Sequence, residues 1–267
     1  MTASLLSVDD LTVSVERLGQ RVTVVDRVSL DVAAGRAIGV VGESGSGKSL
    51  LLRAIIGLLP PAARVESGTI RLGATVLRDL GADARRARRG RLAIVFQDSL
   101  SALDPVQPVG AQVAEAPRYV GGLSRRDARE RAVELLRLVG VPDPARRAAA
   151  YPHQLSGGLR QRVAIAIALS TEPEVLLCDE PTTALDVTVQ AQVLELIDDL
   201  RQRLDLAVVF VSHDLAVVRQ LCDEVAVIYA GRVVERGATD DVLLRPHHAY
   251  TRGLLAAALD LDTPGPA

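Results

Sequence analysis

The chain has 267 residues, of which 48% are hydrophobic, and its formal net charge at neutral pH is −2. This length allows a sizeable core, whereas the small net charge argues against a general attraction to nucleic acid or anionic lipid. Aromatic residues make up 2% of the chain, so stacking platforms for single-stranded nucleic acid are not expected. The start lacks the pattern of a signal peptide, and no apolar run approaches the roughly 20 residues that span a bilayer.

The first hundred residues predict strands around one helix. LTVSV at 11–15 and VSLDV at 28–32 alternate apolar and polar residues, which is typical of half-buried antiparallel strands. AIGVVG at 37–42 is continuously apolar and predicts a buried parallel strand, followed by a helix at 48–57. AIVFQ at 93–97 predicts another short strand.

The middle of the chain, residues 98–165, predicts a helical insertion. SRRDARERAVELLRLVG at 124–140 has the pattern of a helix that Ser124 caps and that ends at Gly140, with Pro142 just beyond. No strand pattern is evident in this segment. The arginine-rich stretch at 83–91 precedes it and is interpreted as a solvated lead-in to a strand, with nucleic-acid contact as the alternative.

The last hundred residues alternate strands and helices. Strands are predicted at 174–180, 207–213 and 224–231, with helices near 187–204 and 214–222 between them. This β-α-β rhythm indicates a parallel α/β core. The tail, TPGPA, is expected to be disordered. Two cysteines stand at no metal-ligand spacing and are interpreted as buried, reduced thiols, Cys178 and Cys222.

A phosphate-binding loop joins the predicted buried strand to the helix at 48–57. GESGSGKS at 42–49 matches G-x-x-x-x-G-K-[ST], in which glycines let backbone N–H groups approach phosphate oxygens. The helix start adds its positive dipole end, and the serine hydroxyl is offered to Mg²⁺. The lysine of this loop is the only lysine in the chain. We expect the whole loop to hold a nucleotide: Gly42, Glu43, Ser44, Gly45, Ser46, Gly47, Lys48 and Ser49.

Acidic and polar residues end the other predicted strands. Asp179 follows the apolar strand VLLC and is a candidate Mg²⁺ ligand, and Glu180 is a candidate base for an attacking water. Gln97 ends another strand and is a candidate for contact with Mg²⁺ or that water. His213 is a candidate for the γ-phosphate, although a strand-end histidine is more often a packed or surface residue.

LSGGLRQR at 155–162 predicts a second helix start suited to an anion, with an ordinary turn at SGG as the alternative. Ser156 is the candidate cap, and Gly157 and Gly158 leave backbone amides bare. One nucleotide does not require two such loops in one domain. We therefore expect this loop to face a nucleotide held by another subunit.

These motifs in this order resemble the ATP-binding subunit of an ABC transporter over roughly residues 5–255. GESGSGKS, VFQ, LSGGLRQR, VLLCDEP, ALD at 184–186 and VSHD all occur in the family's sequence order. The peptide and nickel importer branch is the finer resemblance, because DEPTTALDVTVQAQVLELI and PHHAYTRGLL at 246–255 are similar to its elements.

The resemblance implies an α/β fold with a P-loop NTPase core, which has a mainly parallel sheet with flanking helices, N-terminal antiparallel strands and an inserted helical subdomain. The implied domains are a core, a helical subdomain and a short C-terminal extension: 1–97 with 166–235, 98–165 and 236–267.

The resemblance also implies a mechanism and partners. Two ATPase domains, identical or related, would pair head to tail around Mg²⁺ and ATP, with Glu180 as the base and Asp186 acting across the interface. Gln97 and residues 98–108 would sense two separate membrane permease subunits at the cytoplasmic face of the membrane. A solute-binding protein would act indirectly, and di- or oligopeptides are the expected solutes, with nickel or another small solute as the alternative.

The chain departs from the family pattern at several positions. Leu159 stands where many members carry glutamine, and Ala249 replaces the usual proline before Tyr250. Val15 aligns with the aromatic residue that usually stacks on adenine, so we expect affinity to depend on the phosphates. The C-terminal tail has no cysteine, so no iron–sulfur cluster is predicted.

Two other functions compete with transport. A non-transport ABC ATPase acting on nucleic acid is disfavoured, because about 108 residues between the two loops leave no room for long coiled coils and only one phosphate loop is present. A module that binds ATP without cleaving it is disfavoured by the joint presence of Glu180 and His213.

Overall fold

A computed structural model of the chain describes residues 4–77, 90–98, 102–183 and 185–261. It divides into two compact units, one formed by Met1–Ala87 with Ala207–Ala267 and the other by Arg88–Leu206. Most of the arginine-rich stretch and the TPGPA tail lie outside the described residues.

The described strands and helices follow the expected alternation. The strands are β1 Ser4–Arg17, β2 Gln20–Ala33, β3 Ala37–Val41, β4 Ala63–Leu72, β5 Thr75–Val76, β6 Leu92–Val95, β7 Val175–Asp179, β8 Ala207–Val211, β9 Glu224–Tyr229 and β10 Arg232–Ala238. The helices are α1 Lys48–Ile56, α2 Val109–Tyr119, α3 Arg125–Leu138, α4 Pro144–Arg147, α5 Gly157–Leu169, α6 Val187–Leu204, α7 Leu215–Leu221, α8 Thr239–Leu244 and α9 Ala249–Leu261, with a short 3₁₀ turn at Pro152–Gln154.

The first unit contains an antiparallel sheet in the order β2-β1-β4-β5. The predicted segments at 11–15 and 28–32 lie inside β1 and β2, which pair over most of their length. Strand β4 was not predicted. Its central residues are exposed or half-buried and include Gly68, so the segment shows only a weak apolar pattern.

The same unit contains the parallel strands of the core. Strand β3 lies between β8 and β9 and runs parallel to both, and β10 adds an antiparallel edge to β9. Every residue of β3 and β8 is buried, which confirms the predicted buried parallel strands. Because parallel strands direct their carboxyl ends to one edge, the loops after β3, β8 and β9 lie at that edge.

The second unit pairs β6 with β7 in parallel and carries α2 to α6. Between 98 and 165, every element in the part of the chain that the structure describes is helical, as predicted. The Ser124 side chain caps α3 by accepting a hydrogen bond from the Asp127 N–H. The predicted α/β class, with antiparallel strands before the parallel core, is therefore confirmed, whereas the domain boundaries remain predictions.

Within the described residues, both cysteine side chains are buried and neither forms a disulfide bond, as expected of reduced thiols. Burial raises the pKa of the Cys178 thiol, so it stays protonated at neutral pH. In the residues described, we find no helix with the length and apolarity needed to cross a lipid bilayer.

Candidate functional site

The loop at 42–49 is fitted closely against neighbouring backbone in the first unit. A Cβ atom on Gly42 would lie 2.1 Å from the Ile228 carbonyl oxygen, and one on Gly47 would lie 2.7 Å from the Val24 carbonyl oxygen. Gly47 also has a φ of 104°, which side chains rarely adopt. Glycine is therefore required at both ends of the loop, for space and for conformation.

The start of α1 is suited to an anion. Gly47 occupies the N-cap position without a side-chain hydrogen bond, and the first turn of α1 contains no acidic residue. The N–H groups of this turn and the positive end of the helix dipole both favour phosphate oxygens. The geometry thus matches the sequence prediction of a phosphate-binding loop.

Lys48 lies inside the curve of the loop. Its ammonium donates hydrogen bonds to the carbonyl oxygens of Gly42, at 2.7 Å, and Glu43, at 2.8 Å. The residue is 5% exposed, so the charge lies largely out of bulk water and close to the loop backbone. A compact ammonium makes both bonds, whereas a planar guanidinium needs more width.

Ser46 offers a buried hydroxyl in the same loop. Within the described residues its Oγ atom is buried and has no hydrogen-bond partner. Such a group is costly unless something satisfies it. A phosphate oxygen would do so, and the loop therefore fits the nucleotide that the sequence predicts.

His213 follows β8 at the same edge of the first unit's parallel strands. β3 and β8 pair with Val40 beside Val211, and the Ser212 N–H donates to the Val40 carbonyl oxygen at 3.2 Å. His213 is exposed, and Asp214 caps α7 through the Ala216 and Val217 N–H groups. The backbone thus fixes His213 near the end of the strand that precedes the phosphate loop.

In the second unit, Gln97 and Glu180 are brought together. Strands β6 and β7 are parallel neighbours, and the Gln97 side-chain amide donates to the Glu180 carboxylate at 3.3 Å. Asp179 ends β7 and is 4% exposed. Two carboxylates thus follow one another, with Asp179 enclosed and Glu180 half-buried.

Thr183 is a member of this group that the sequence prediction missed. Its hydroxyl donates to the same Glu180 carboxylate oxygen, at 3.0 Å. Glu180 has a φ of 46°, a left-handed backbone conformation that is uncommon outside glycine. The sequence does show a threonine three residues after Glu180, in the segment PTT. Threonine is too common in turns for this position alone to indicate a contact with Glu180.

The second predicted anion site packs against the start of α6 in the same unit. Ser156 caps α5 by accepting from the Leu159 N–H, as predicted, and Asp186 caps α6 by accepting from the Val189 N–H. A Cβ atom on Gly158 would lie 2.4 Å from the Val189 side chain. Gly157 and Gly158 are thus adjacent to the segment that carries Asp186; Ala184 of that segment lies outside the described residues.

A metal site made by protein side chains alone is not evident in the described residues, which contain no group of three or more histidine, cysteine or acidic residues able to hold an ion. The candidate Mg²⁺ ligands Ser49, Gln97 and Asp179 supply the hard oxygen atoms that Mg²⁺ prefers. Mg²⁺ bound with nucleotide commonly takes few protein ligands, because phosphates and waters supply the others. The residue types therefore fit the ion that was predicted.

The family model described as ABC transporter matches residues 25–183. The chain belongs to the ABC transporter family. Among curated relatives of this ABC transporter chain, the dipeptide transport ATP-binding protein DppD of Bacillus subtilis (strain 168) is 45% identical over 262 residues, covering 97% of this chain and 78% of the relative. The oligopeptide transport ATP-binding protein OppD of the same organism is 43% identical over 263 residues, covering 98% and 74%.

Solved structures agree with the family assignment. The dimeric ATP-binding cassette MJ0796, in a post-hydrolysis state with ADP and Pi bound, is 29% identical with a TM-score of 0.76, over 88% of this chain and 98% of that one. The cbiO1 protein of Clostridium perfringens, part of the transporter complex cbiONQ, is 25% identical with a TM-score of 0.78, over 97% and 95%. The predicted family and the α/β fold are thus confirmed, and the roles of individual site residues remain predictions.

Proposed function

We propose that this ABC transporter chain is the ATP-hydrolysing subunit of an importer for di- and oligopeptides. The observation that carries the ATPase assignment is the closed phosphate loop, in which Lys48 is buried against loop carbonyls beside the unsatisfied Ser46 hydroxyl. The peptide assignment is supported by relatives whose names specify dipeptide and oligopeptide transport at 45% and 43% identity. Neither of these names specifies nickel or nucleic acid.

In this function, the loop residues Gly42 to Ser49 hold the nucleotide phosphates through backbone N–H groups and the Lys48 ammonium. ATP supplies the phosphoryl group, and Mg²⁺ supplies charge compensation on its oxygens. By residue chemistry, Ser49 and Asp179 are assigned to the ion, with Gln97 as a further ligand. Because Val15 is aliphatic, it cannot stack on adenine as an aromatic residue would. The phosphates therefore contribute most of the nucleotide affinity.

Hydrolysis needs an oriented water and an acceptor for its proton. We assign Glu180 as that acceptor, because its carboxylate is exposed enough to reach water and is oriented by two donors, Gln97 and Thr183. The bond from water oxygen to the γ-phosphorus forms as the bond to the leaving oxygen of ADP breaks, and the water proton passes to Glu180. His213 is assigned to the γ-phosphate, where its ring stabilises the developing charge.

The second anion site is assigned to a partner ATPase, which is either an identical or a related chain. Ser156, Gly157 and Gly158 would contact the nucleotide that the partner's phosphate loop holds, with Asp186 at the interface. The solved relative MJ0796 is dimeric, which supports this arrangement.

Two permease subunits in the membrane are the proposed further partners. The chain would lie peripherally at the cytoplasmic face, and residues 98–108 would contact the permeases, of which 99–101 lie outside the described residues. The solute is selected by those subunits and by a solute-binding protein that acts on them.

The test is the variant Glu180→Gln in the assembled importer. ATP binding is expected to persist, while hydrolysis falls on the order of 100-fold or more, because the amide cannot accept the water proton. Glu195→Gln, on the exposed face of α6, is the matched control and should retain full turnover. Near-normal turnover in Glu180→Gln would refute its role as base, and a wild-type complex that hydrolyses no ATP would refute the proposed function. Peptide uptake that depends on ATP, compared with nickel uptake, tests the solute.

A further inference from the structure

The C-terminal segment PHHAYTRGLL at 246–255 has no role in the function described so far. One of its side chains reaches the phosphate loop: the Tyr250 phenol oxygen accepts a hydrogen bond from the Glu43 backbone N–H, at 3.0 Å. We propose that Tyr250 is a positioning residue that holds the beginning of the phosphate loop in the shape that binds nucleotide. The inference rests on the proposed function, since it takes ATP as the ligand of the loop.

The Glu43 backbone is held on both sides. Its N–H donates to Tyr250, and its carbonyl oxygen accepts from the Lys48 ammonium at 2.8 Å. Rotation of this part of the loop would break both bonds together. Tyr250 and Lys48 are therefore connected through the backbone of one residue, although Tyr250 is 207 positions away from Glu43.

The Tyr250 ring is fixed against the end of β9. Its centroid lies 4.3 Å from that of Tyr229, with the two ring planes inclined at 38°. Tyr229 follows Ile228, whose carbonyl oxygen occupies the space next to Gly42. The end of β9 thus contacts the start of the phosphate loop directly through Ile228 and indirectly through the Tyr229–Tyr250 pair.

The turn before α9 is anchored independently of the loop. The Glu235 carboxylate accepts from the N–H groups of His247, at 2.7 Å, and His248, at 3.1 Å. The Arg252 guanidinium donates to the His247 carbonyl oxygen at 2.7 Å. The two bonds to Glu235 hold the turn to β10, and the Arg252 bond holds it to α9. The backbone position from which Tyr250 reaches the loop is therefore fixed.

The hydrogen bond from Glu43 to Tyr250 lowers the entropic cost of ordering the phosphate loop when nucleotide binds. Residues 42–47 contain three glycines and two serines, so the loop has few side chains that could fix its shape by packing. A bond that already holds Glu43 lowers the entropy lost when nucleotide binds. Burial raises the pKa of Tyr250, so its phenol remains neutral at physiological pH and the bond does not titrate there.

A preorganised loop favours bound nucleotide in the ground state and in the transition state alike. Loss of the bond should therefore raise the KM for MgATP and leave kcat nearly unchanged. A role confined to overall stability would instead reduce the active fraction, which lowers kcat at constant KM. The split between KM and kcat distinguishes the two.

The experiment compares Tyr250→Phe with Tyr119→Phe. Tyr250→Phe removes only the accepting oxygen and keeps the ring pair with Tyr229. Tyr119→Phe is the control: it removes the same hydroxyl from a tyrosine that is 65% exposed and lies in the other unit. Because Tyr250→Phe loses one hydrogen bond, we expect roughly a fivefold weakening of nucleotide binding. It should appear as a higher KM for MgATP in the assembled importer and as a higher Kd for MgADP on the purified chain. Tyr119→Phe should match wild type in both.

Three results would overturn the proposal: unchanged KM and Kd in Tyr250→Phe, a fall in kcat at constant KM, or an equal rise in Tyr119→Phe. Tyr250→Leu is the second variant, and its loss of the ring should raise the Kd for MgADP at least as much. The Kd measurement uses only folded chain and needs no hydrolysis. A wild-type importer without ATPase activity would therefore refute the proposed function while leaving the Kd comparison able to decide this proposal.

Discussion

The phosphate loop of the first unit and the acidic strand end of the second differ in what holds them. The loop is held mainly by backbone: carbonyl oxygens lie where side chains on Gly42 and Gly47 would have to be, and two carbonyls bind the Lys48 ammonium. At the acidic end, side chains hold side chains, as Gln97 and Thr183 both donate to Glu180.

This difference predicts how each region responds to substitution. A site formed by backbone atoms has a fixed size, so a substituted side chain of different shape should impair it even when the charge is conserved. A side chain oriented by two donors keeps one when the other is removed, so it should lose activity in smaller steps. The predictions below test this contrast in order of decreasing effect.

Lys48→Arg tests whether the loop rejects a larger cation. The residue is 5% exposed and makes two bonds to loop carbonyls, so a planar guanidinium would displace the backbone. We expect ATP turnover to fall roughly 100-fold, the scale for loss of one positioned donor to the transition state. Steady-state ATPase measurement on the assembled importer checks this.

The reverse exchange, Arg53→Lys on the exposed face of α1, is the control for Lys48→Arg and should change turnover little. If Lys48→Arg retained near-wild-type turnover, charge alone would suffice at this position. The steric explanation for the single lysine would then be wrong.

Gly158→Ala tests a contact in the second unit that is as close as those at the phosphate-loop glycines. The added Cβ would lie 2.4 Å from the Val189 side chain, whereas one on Gly157 would lie 3.4 Å from Leu185. Overpacking of this kind costs about 1–3 kcal/mol, so Gly158→Ala should be about 2 kcal/mol less stable than Gly157→Ala. Urea unfolding of the purified chain measures the difference.

Val189→Ala removes the methyl group that the new Cβ would meet. In a double-mutant cycle, Val189→Ala should therefore offset part of the cost of Gly158→Ala, with a favourable coupling of about 1 kcal/mol. Strict additivity of the two changes would show that the instability has another origin.

Thr183→Val tests the more adjustable acidic end. It removes the 3.0 Å hydrogen bond to Glu180 while the bond from Gln97 remains. Turnover should fall about fivefold, the effect of one hydrogen bond on the order of 1 kcal/mol. Thr183→Ser keeps the hydroxyl and should retain activity, whereas unchanged turnover in Thr183→Val would show that this hydrogen bond does not orient Glu180.

Local pattern was sufficient to predict much of this molecule. The apolar run of β3 and the period of α6, predicted near 187–204 and observed at Val187–Leu204, follow from burial that repeats along a single element. The Ser156 and Ser124 caps follow from side chains that bond within three residues. These features were predictable because their causes lie close together in sequence.

Contacts between distant segments were not predictable in this way. Strand β10 and helices α8 and α9 were not predicted. The residues of β10 and α8 are only partly buried, so their sequences carry a weak periodicity. The bond from Glu43 to Tyr250 joins residues 207 positions apart. Nothing in PHHAYTRGLL indicates which distant N–H the tyrosine will meet, so only the folded chain shows that contact.

The smallest expected effect concerns the Arg91–Glu174 pair of the second unit. Arg91 precedes β6 and Glu174 precedes β7, and the guanidinium bonds both carboxylate oxygens, the second at 3.0 Å. The hydrogen bond from Arg91 lowers the pKa of Glu174 below its usual 4.5. A carboxylate with a lowered folded pKa stabilises the fold above that usual value, and this stabilisation is lost as pH falls through the folded pKa.

The side chains are 34% and 41% exposed, so solvent screening limits the pair to at most about 1 kcal/mol. Glu174→Gln should therefore be slightly less stable than wild type at pH 7, and the two urea-unfolding free energies should converge as pH falls below 4.5. Salt near 1 M should shrink the pH 7 difference, since it screens exposed charges. A difference that stayed constant with pH would mean that the side-chain packing of Glu174, and not its charge, joins the ends of β6 and β7.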